Sequence, residues 1–346
     1  MPDNKFKVLW TDIRHWLSAY PWADKLVALR NKLLSFLASW WKLLLAFLAA
    51  VIFLYYPLGG WLIHNIDTSS DYEINTPPDQ SATVEMMSFL VKREVSDKMW
   101  TPNLPFIFPS FFLDNMPNFQ LGLMSAVSQT ATSLSKRIDK PIAAETDQPL
   151  HLAAELLRYP GTIWMFSPSN KLTPVPSAGN QYKKARKQLI SFNRDLRNGS
   201  IPFYKSPADL RYFMDRMISD LRSSNSRLEA AVRENSTGWI DLRADDVFYF
   251  QKGKLYGYLL LFKALGHDYK DILVNADIYQ PWTAMLNALE QGALLDPAIV
   301  RNGALGSVVS PNHLSEIGWF TLKAADIGHN IVQKLEPGAL VKPKEN

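Results

Sequence analysis

The sequence contains no cysteine, which excludes a disulfide framework, a thiolate nucleophile, a cysteine-based zinc site and a cysteine-ligated iron–sulfur cluster. The six histidines are scattered, and no pair has the HExxH or HxxxH spacing of a helical metal site. The chain also lacks a GxGxxG motif and a glycine-rich loop followed by Lys-Ser or Lys-Thr, which are marks of nucleotide binding. We therefore expect no metal and no cofactor.

Charged residues are absent from the stretch Leu43–Ile63, which is 21 residues long. As a helix it covers about 30 Å, which matches the hydrocarbon core of a bilayer. It predicts a transmembrane helix, and a fully buried core helix is the alternative. Residues that favour the headgroup region lie toward both ends of the stretch, namely Trp40, Trp41 and Lys42 at one end and Tyr55, Tyr56 and Trp61 at the other.

Basic residues are missing between Lys42 and Lys92, whereas residues 1–42 contain seven. Because basic flanks stay in the cytoplasm, the N-terminus is predicted to be cytoplasmic and the rest of the chain to lie outside. In a bacterium this means a single-pass protein of the inner membrane with a C-terminal domain in the periplasm. A cleaved signal peptide is less consistent with the sequence, because its charged region would be 42 residues long.

Residues 1–42 are predicted to be a cytoplasmic amphipathic juxtamembrane segment. Apolar residues recur at helical spacing over residues 5–20, Pro21 ends this pattern, and a second apolar stripe continues into the span. Tryptophans on one face and basic residues on the other suit a helix in the headgroup plane of an anionic leaflet. Packing on a cytoplasmic partner or on a second copy is the alternative.

Beyond the span the sequence predicts a mostly α-helical periplasmic domain with few short strands, for which Thr162–Phe166 and Trp239–Leu242 are the candidates. The stretch Ser167–Asn180 is rich in proline, serine and asparagine and is the predicted internal boundary. The predicted organisation is a transmembrane helix at 43–63, a stalk at 64–75, a helical subdomain at 76–166, a linker or long loop at 167–180, a helical subdomain with basic helices at 181–336, and a tail at 337–346.

The helices of this domain are predicted from apolar stripes and from start and stop residues. Thr76-Pro77-Pro78-Asp79 has the features of an N-terminus, so a helix is expected from there to about Met99. The other expected helices are Phe119–Ile138, Pro149–Arg158, one starting at Ser206-Pro207, Asp245–Leu265, Tyr269–Gln291, a short one after Asp296-Pro297, and a last one opened by Ser310-Pro311.

Two stretches stand out as candidate binding surfaces. Between Asn180 and Arg233 there are twelve basic residues and five acidic ones, so this region holds much of the positive charge of the chain. A solvated helix face is the simpler reading, and a surface for an anionic partner is the functional one, built from Lys183, Lys184, Arg186, Lys187, Arg194 and Arg197. Residues 101–119 combine four prolines with many phenylalanines and form either a buried loop or a hydrophobic docking loop of Phe106, Phe108, Phe111 and Phe112.

Catalytic signals are weak. Ser133-Leu134-Ser135-Lys136 matches the SxxK motif of penicillin-binding enzymes and Ser191-Phe192-Asn193 follows it, but the KTG element is missing. Glu155 in an apolar helix and the pair Asp245-Asp246 are the acids best placed for glycosidase chemistry. Their simpler roles are an ion pair with Arg158 for Glu155 and helix N-terminal charge for the two aspartates.

Three segments carry a resemblance to a known family. They are DYEIN at Asp71–Asn75, RADDVFYF at Arg243–Phe250 and WFTLKAADIGHNI at Trp319–Ile331. In this order the chain resembles an uncharacterised family of bacterial single-span inner-membrane proteins of unknown function. The resemblance implies a Gram-negative envelope and carries no activity, so it assigns no functional residue.

The sequence therefore predicts a membrane-anchored periplasmic protein of the cell envelope that binds or scaffolds. Its expected partners are membrane lipids and either another envelope protein or a second copy of the chain. Nucleic acid is not expected, because the net charge of +4 is only mildly basic. The alternative is a cell-wall or glycan-processing enzyme that uses acidic residues such as those named above.

Overall fold

The computed structural model describes residues 11–12, 21–109, 114–138, 148–166, 173–203, 205–234, 242–303 and 311–336. The prediction of a mostly α-helical chain is confirmed, since these residues contain ten α-helices and only one isolated antiparallel bridge, between Asn302 and Asn312. Several predicted features lie outside the described residues, namely Phe111, Phe112, the tail 337–346, and all but residues 11–12 of the amphipathic helix at 5–20. The candidate strand Trp239–Leu242 also lies outside them except for Leu242, which begins a helix. By its contacts the chain divides into two units, 1–59 and 60–346.

The first helix, α1, is Pro21–Ile63. Its part Asp24–Ile63 is the one helix within the described residues that is long and apolar enough to cross a membrane. Its large apolar side chains are exposed, as in Phe53 with 76% of its surface accessible. A soluble helix normally buries such a stripe, and a membrane-spanning helix exposes one to lipid.

The described part of the second unit contains nine α-helices. They are α2 at Ala82–Lys92, α3 at Asn115–Ile138, α4 at Pro149–Leu157, α5 at Ala178–Arg197, α6 at Pro207–Glu234, α7 at Leu242–Asp268, α8 at Lys270–Asn275, α9 at Tyr279–Leu294 and α10 at His313–Lys334. A five-residue π-helical turn, Arg93–Asp97, directly continues α2. Such turns widen the helix by one residue and recur at functional positions.

Helix α7 lies at the centre of the core and is buried along almost its whole length. Helix α3 packs closely on it where Gly122 and Gly253 face each other's helices. A Cβ atom on Gly122 would lie 1.8 Å from the carbonyl oxygen of Phe250, and one on Gly253 would lie 2.0 Å from that of Phe119. The two backbones therefore touch directly, and only glycine fits at these positions.

Four local predictions are wrong. The helix expected from Thr76 begins at Ala82 instead, because the Ser81 hydroxyl caps it and accepts a hydrogen bond from the Val84 amide. The helix expected over Tyr269–Gln291 is two helices, separated at Asp277, whose φ of 49° breaks the helical path. Thr162–Phe166 forms turns and bends rather than a strand, and the short helix after Asp296-Pro297 is absent from this described stretch.

Residues 64–80, which we call the strap, lead from α1 to α2 and are bound to the second unit. The Lys98 amine donates to the Asn65 carbonyl at 3.1 Å, and the Tyr256 hydroxyl donates to the Ser69 carbonyl at 2.6 Å. At the far end, Asp268 accepts from the Ser81 hydroxyl at 2.8 Å. The subdivision of the domain at 167–180 stays a prediction, although residues on both sides of it contribute to one hydrophobic core.

Candidate functional site

The residues predicted to mark the membrane interfaces lie on α1. Trp40, Trp41 and Tyr55 each expose between 46% and 49% of their surface, and Trp61 exposes 76%. The Lys42 amine lies 5.9 Å from the centre of the Trp41 ring. The rings of Tyr55 and Tyr56 meet edge to face at 5.2 Å between centres. All of these aromatic and amine groups therefore lie on one continuous helix.

The predicted basic surface is one face of α5. Its apolar face, with Leu189 and Phe192, is buried in the core, which turns the basic residues outward. Lys183, Lys184 and Lys187 are exposed and form no ion pair within the described residues. Arg194 donates to Ser191 at 2.8 Å and lies 3.8 Å from Asp195, the one acid on the helix. Arg197 is exposed at the end of the helix, and Arg186 is half-buried.

The predicted aromatic loop, residues 101–119, is described except for residues 110–113. Phe106 exposes 66% of its surface, whereas Phe108 is half-buried. Asn103 ties the loop to the rest of the unit by donating to the Ile163 carbonyl at 2.8 Å. The loop therefore has an anchored base and at least one exposed ring.

The predicted catalytic residues are not brought together. Ser133 is buried and donates to the carbonyl of Gln129 on its own helix, while Lys136 is exposed. Asn193 is buried and pairs with the backbone of Ser81. Glu155 is exposed and lies 3.5 Å from His151, rather than beside Arg158 as the sequence suggested.

The pair Asp245-Asp246 opens α7 beside Asp114. Burial, reinforced by the charges of Asp114 and Asp246, raises the pKa of Asp245 to about 6. Burial and Asp114 also raise the pKa of Asp246, although the amide of Asn118 opposes this by donating to it at 2.6 Å. Asp246 and Asn118 line a cavity of about 260 Å³. Two aspartates with raised pKa values thus lie beside Asp114, and one of them, Asp246, lines a small cavity.

A larger cavity, which we call the strap groove, lies between the strap and α2 and has a volume of about 450 Å³. Sequence reasoning missed it, because its two walls come from segments that the sequence shows only one at a time. Its lining residues are Tyr72, Glu73, Ile74, Asn75, Thr76, Pro77, Gln80, Ala82, Glu85, Met86 and Phe89. The alternation of apolar and polar residues in DYEIN was the available signal, since period two indicates an extended segment with one buried side.

Arg93, on the π-helical turn, fixes one end of this groove. Its guanidinium pairs with Glu94 at 2.7 Å and donates to the hydroxyls of Tyr72 at 3.0 Å and Tyr256 at 2.6 Å. It also lies within 6.0 Å of the ring centres of Tyr72, Phe89 and Tyr256. Burial alone lowers the pKa of Arg93, but Glu94 and the two phenols raise it above its ordinary value. Arg93 therefore stays charged and holds Tyr72 in place.

Gln120 completes this polar scaffold from α3. Its amide nitrogen donates to the carbonyls of Glu94 and Met99, and its oxygen accepts from the Thr101 amide and hydroxyl at 2.9 and 2.8 Å. Met99 has a φ of 66°, which is costly for a residue with a side chain. The Gln120 bonds hold the chain in this turn, so the π-helical turn and Arg93 have a fixed position.

Comparison with protein families matches residues 103–238 and 219–315 to the family described as "Uncharacterized protein conserved in bacteria (DUF2333)". Comparison with curated proteins found no match. Comparison with solved structures also found none. The matched ranges run from 103 to 315, cover more than half of the chain and contain one of the three resembling segments, Arg243–Phe250. The chain therefore belongs to this family of uncharacterised bacterial proteins.

Proposed function

We propose that this protein is a single-pass protein of the bacterial inner membrane, with a cytoplasmic N-terminus and a periplasmic helical domain that binds or scaffolds. The exposed apolar surface of α1 supports the span. The basic residues before it, and the lack of any lysine or arginine between Lys42 and Lys92, support the orientation. Family membership supports a bacterial source.

The orientation can be tested by cysteine labelling, because the natural chain has no cysteine to give background. Asp79→Cys and Lys32→Cys place single thiols at exposed positions on opposite sides of the span. A membrane-impermeant maleimide added to intact spheroplasts should label the first variant and spare the second until the membrane is permeabilised. The reverse pattern would contradict the proposed orientation.

The observation that carries the binding role is the basic face of α5. Exposed cations that lack an acidic neighbour in the described structure attract an anionic surface at long range. We propose that this face binds anionic lipid headgroups, with lipopolysaccharide phosphates or an acidic protein as the other candidates. Each basic residue near an anionic bilayer contributes about 1 kcal/mol, so the cluster acts as a unit.

The test replaces Lys183, Lys184, Arg186 and Lys187 together by glutamine in the full-length protein, held in nanodiscs of neutral phosphatidylcholine. Binding to added phosphatidylglycerol vesicles at low salt should fall at least tenfold, and raising the salt should weaken the unmodified protein similarly. The control changes four exposed lysines elsewhere in the chain to glutamine, Lys136, Lys270, Lys323 and Lys334. An equal loss in both variants, or no vesicle binding at all, would contradict the proposal.

A glycan-processing activity is the second candidate, and the observation that favours it is the raised pKa of Asp245, whose neighbour Asp246 lines a cavity. A carboxyl with a pKa near 6 can act as a general acid near neutral pH. Purified full-length protein and its Asp245→Asn variant would be incubated with peptidoglycan, and the fragments compared by mass spectrometry. Cleavage by the natural protein alone would support the enzyme, and intact peptidoglycan in both samples would contradict it.

A further inference from the structure

Part of the strap, Asp71–Thr76, has the burial pattern of an extended strand. Tyr72, Ile74 and Thr76 are half-buried, whereas Asp71, Glu73 and Asn75 are exposed. Side chains of an extended strand alternate between two faces, so one face lies on the second unit and the other faces solvent.

Contacts on the face that lies on the second unit hold this segment in place. The strap groove is therefore formed before any ligand binds. The Tyr72 hydroxyl is fixed by Arg93, and its ring lies 4.7 Å from that of Phe89 on α2. Ile74 packs against the hydrophobic core. A preformed groove spares a ligand the entropic cost of ordering its site.

The main chain of this segment has an open edge. Within the described residues, Asp71–Thr76 form no backbone-to-backbone hydrogen bond. Six consecutive residues from Tyr72 to Pro77 line the strap groove, so the groove meets the main chain as well as the side chains. An unpaired strand edge is a template on which another extended chain can add.

The lining of the groove indicates the chemistry of such a chain. Ala82, Met86 and Phe89 give it an apolar floor on α2. The two charged residues that line it are both acidic, Glu73 and Glu85. Glu73 accepts only a 3.3 Å bond from Asn75, and Glu85 pairs with no cation among the described residues. An apolar floor with acidic walls complements a segment that alternates apolar and basic residues.

From this geometry we infer that the strap groove binds an extended, basic and apolar peptide segment of a partner protein by adding it as a strand beside Asp71–Thr76. The alternating side chains would place apolar residues on the floor and lysine or arginine beside Glu73 and Glu85. This site is separate from the basic face of α5, and the peptide-binding proposal can be tested independently of the lipid-binding proposal.

The test uses a labelled synthetic octapeptide of alternating valine and lysine, with blocked ends, and the full-length protein in phosphatidylcholine nanodiscs. Fluorescence anisotropy at low salt should show saturable binding, while the matching valine–glutamate peptide should not bind. The double variant Glu73→Gln and Glu85→Gln should weaken binding at least fivefold. The control double variant Glu316→Gln and Asp326→Asn makes the same charge change on α10 and should leave binding unchanged.

Two N-methylated peptides test the strand geometry directly. In an extended peptide the amides of the valines point to one edge and those of the lysines to the other. Methylation of one set should therefore reduce binding at least tenfold, whereas methylation of the other set should not. Equal affinity of both peptides would overturn strand addition.

Three further results would overturn the inference. They are the absence of peptide binding, equal binding by both double variants, and displacement of the peptide by a neutral short-chain lipid that binds the glutamine variant equally well. The last result would assign the groove to an acyl chain. A groove filled by a second copy would show as disulfide crosslinks between Asp79→Cys chains together with loss of peptide binding in the crosslinked protein, and this would also contradict a separate partner.

Discussion

Helices α1 and α7 are both long and rich in apolar residues, but they differ in where those residues point and in how they carry charge. The stretch Leu43–Ile63 of α1 has no charged residue and exposes its apolar side chains. Helix α7 is buried along most of its length, yet Lys252 and Lys254 are buried with it. A protein interior can accept charge when a neighbouring helix supplies the partner, whereas lipid offers none.

The residues that pair with Lys252 and Lys254 show how α7 accommodates buried charge. Asp220 on α6 pairs with the Lys254 amine at 2.8 Å and accepts from the Tyr258 hydroxyl at 2.7 Å. Asp296 pairs with the Lys252 amine at 2.8 Å. Burial lowers the pKa of Lys254, and the Asp220 charge acts against this shift. Each of these two buried lysines of α7 is thus paired with one carboxylate.

The largest effect is expected from Asp220→Asn, which removes the carboxylate that pairs with Lys254 of α7. It leaves the Lys254 charge buried without a counter-charge, which should lower the free energy of unfolding by about 3–5 kcal/mol. Urea denaturation followed by circular dichroism measures this. Asp326→Asn is the control, because its exposed pair with Arg222 should contribute about 1 kcal/mol or less. Equal losses in both variants would show that the buried pair has no special role.

A smaller effect is expected from Phe53→Arg, which introduces a charge into the uncharged stretch of α1. At the centre of a membrane helix an arginine costs about 3 kcal/mol of insertion free energy. The share of protein that resists carbonate extraction from membranes should therefore fall, whereas Phe53→Leu should extract like the natural chain. Unchanged extraction of Phe53→Arg would mean that this part of α1 does not lie in hydrocarbon.

The smallest effect is expected from Asp245→Asn at the start of α7. The pKa of Asp245 is raised, so the folded state holds its proton more tightly, and stability falls as pH rises from about 4 to about 6. Asparagine has no such loss. The variant should be more stable at pH 7 by about 1 kcal/mol after allowance for solvent screening, with no gain at pH 4.

Denaturation at both pH values checks this prediction. A gain at pH 4 equal to that at pH 7 would contradict titration of Asp245 as the cause. This result bears on the difference between the two helices, because Asp245, like Asp246, is an acid of α7 that lies beside a like charge.

The sequence predicted those helices whose signals are local. Helix α6 begins at Pro207 as the Ser206-Pro207 signal indicates, and Leu314, Ile317, Ala324 and Ile331 of α10 form a buried stripe at helical spacing. The same reasoning identified α1, because a run of residues without charge needs no tertiary partner to be recognised. Local periodicity therefore accounts for most of the helical architecture.

The errors lie where distant residues decide the local structure. Thr76 has good capping features, but the helix begins at Ala82 because Asp268, far along the chain, accepts from the amides of Ala82 and Thr83. The strap groove was missed for the same reason, since Arg93 fixes Tyr72 together with Tyr256, which is 163 residues away. The basic face of α5 was visible in the sequence because all of its residues belong to one helix.

The hydrogen bond between Ser81 and Asp268 also determines when, during synthesis, the N-terminus of α2 can be capped. The two residues are 187 positions apart, so at about 5–20 residues per second a ribosome needs roughly 10–40 s between them. During that interval α1 has already left the ribosome, while the N-terminus of α2 still lacks the carboxylate that caps it. The strap groove is therefore completed late in synthesis. A nascent chain cannot bind a peptide there until about three-quarters of the chain has been synthesised.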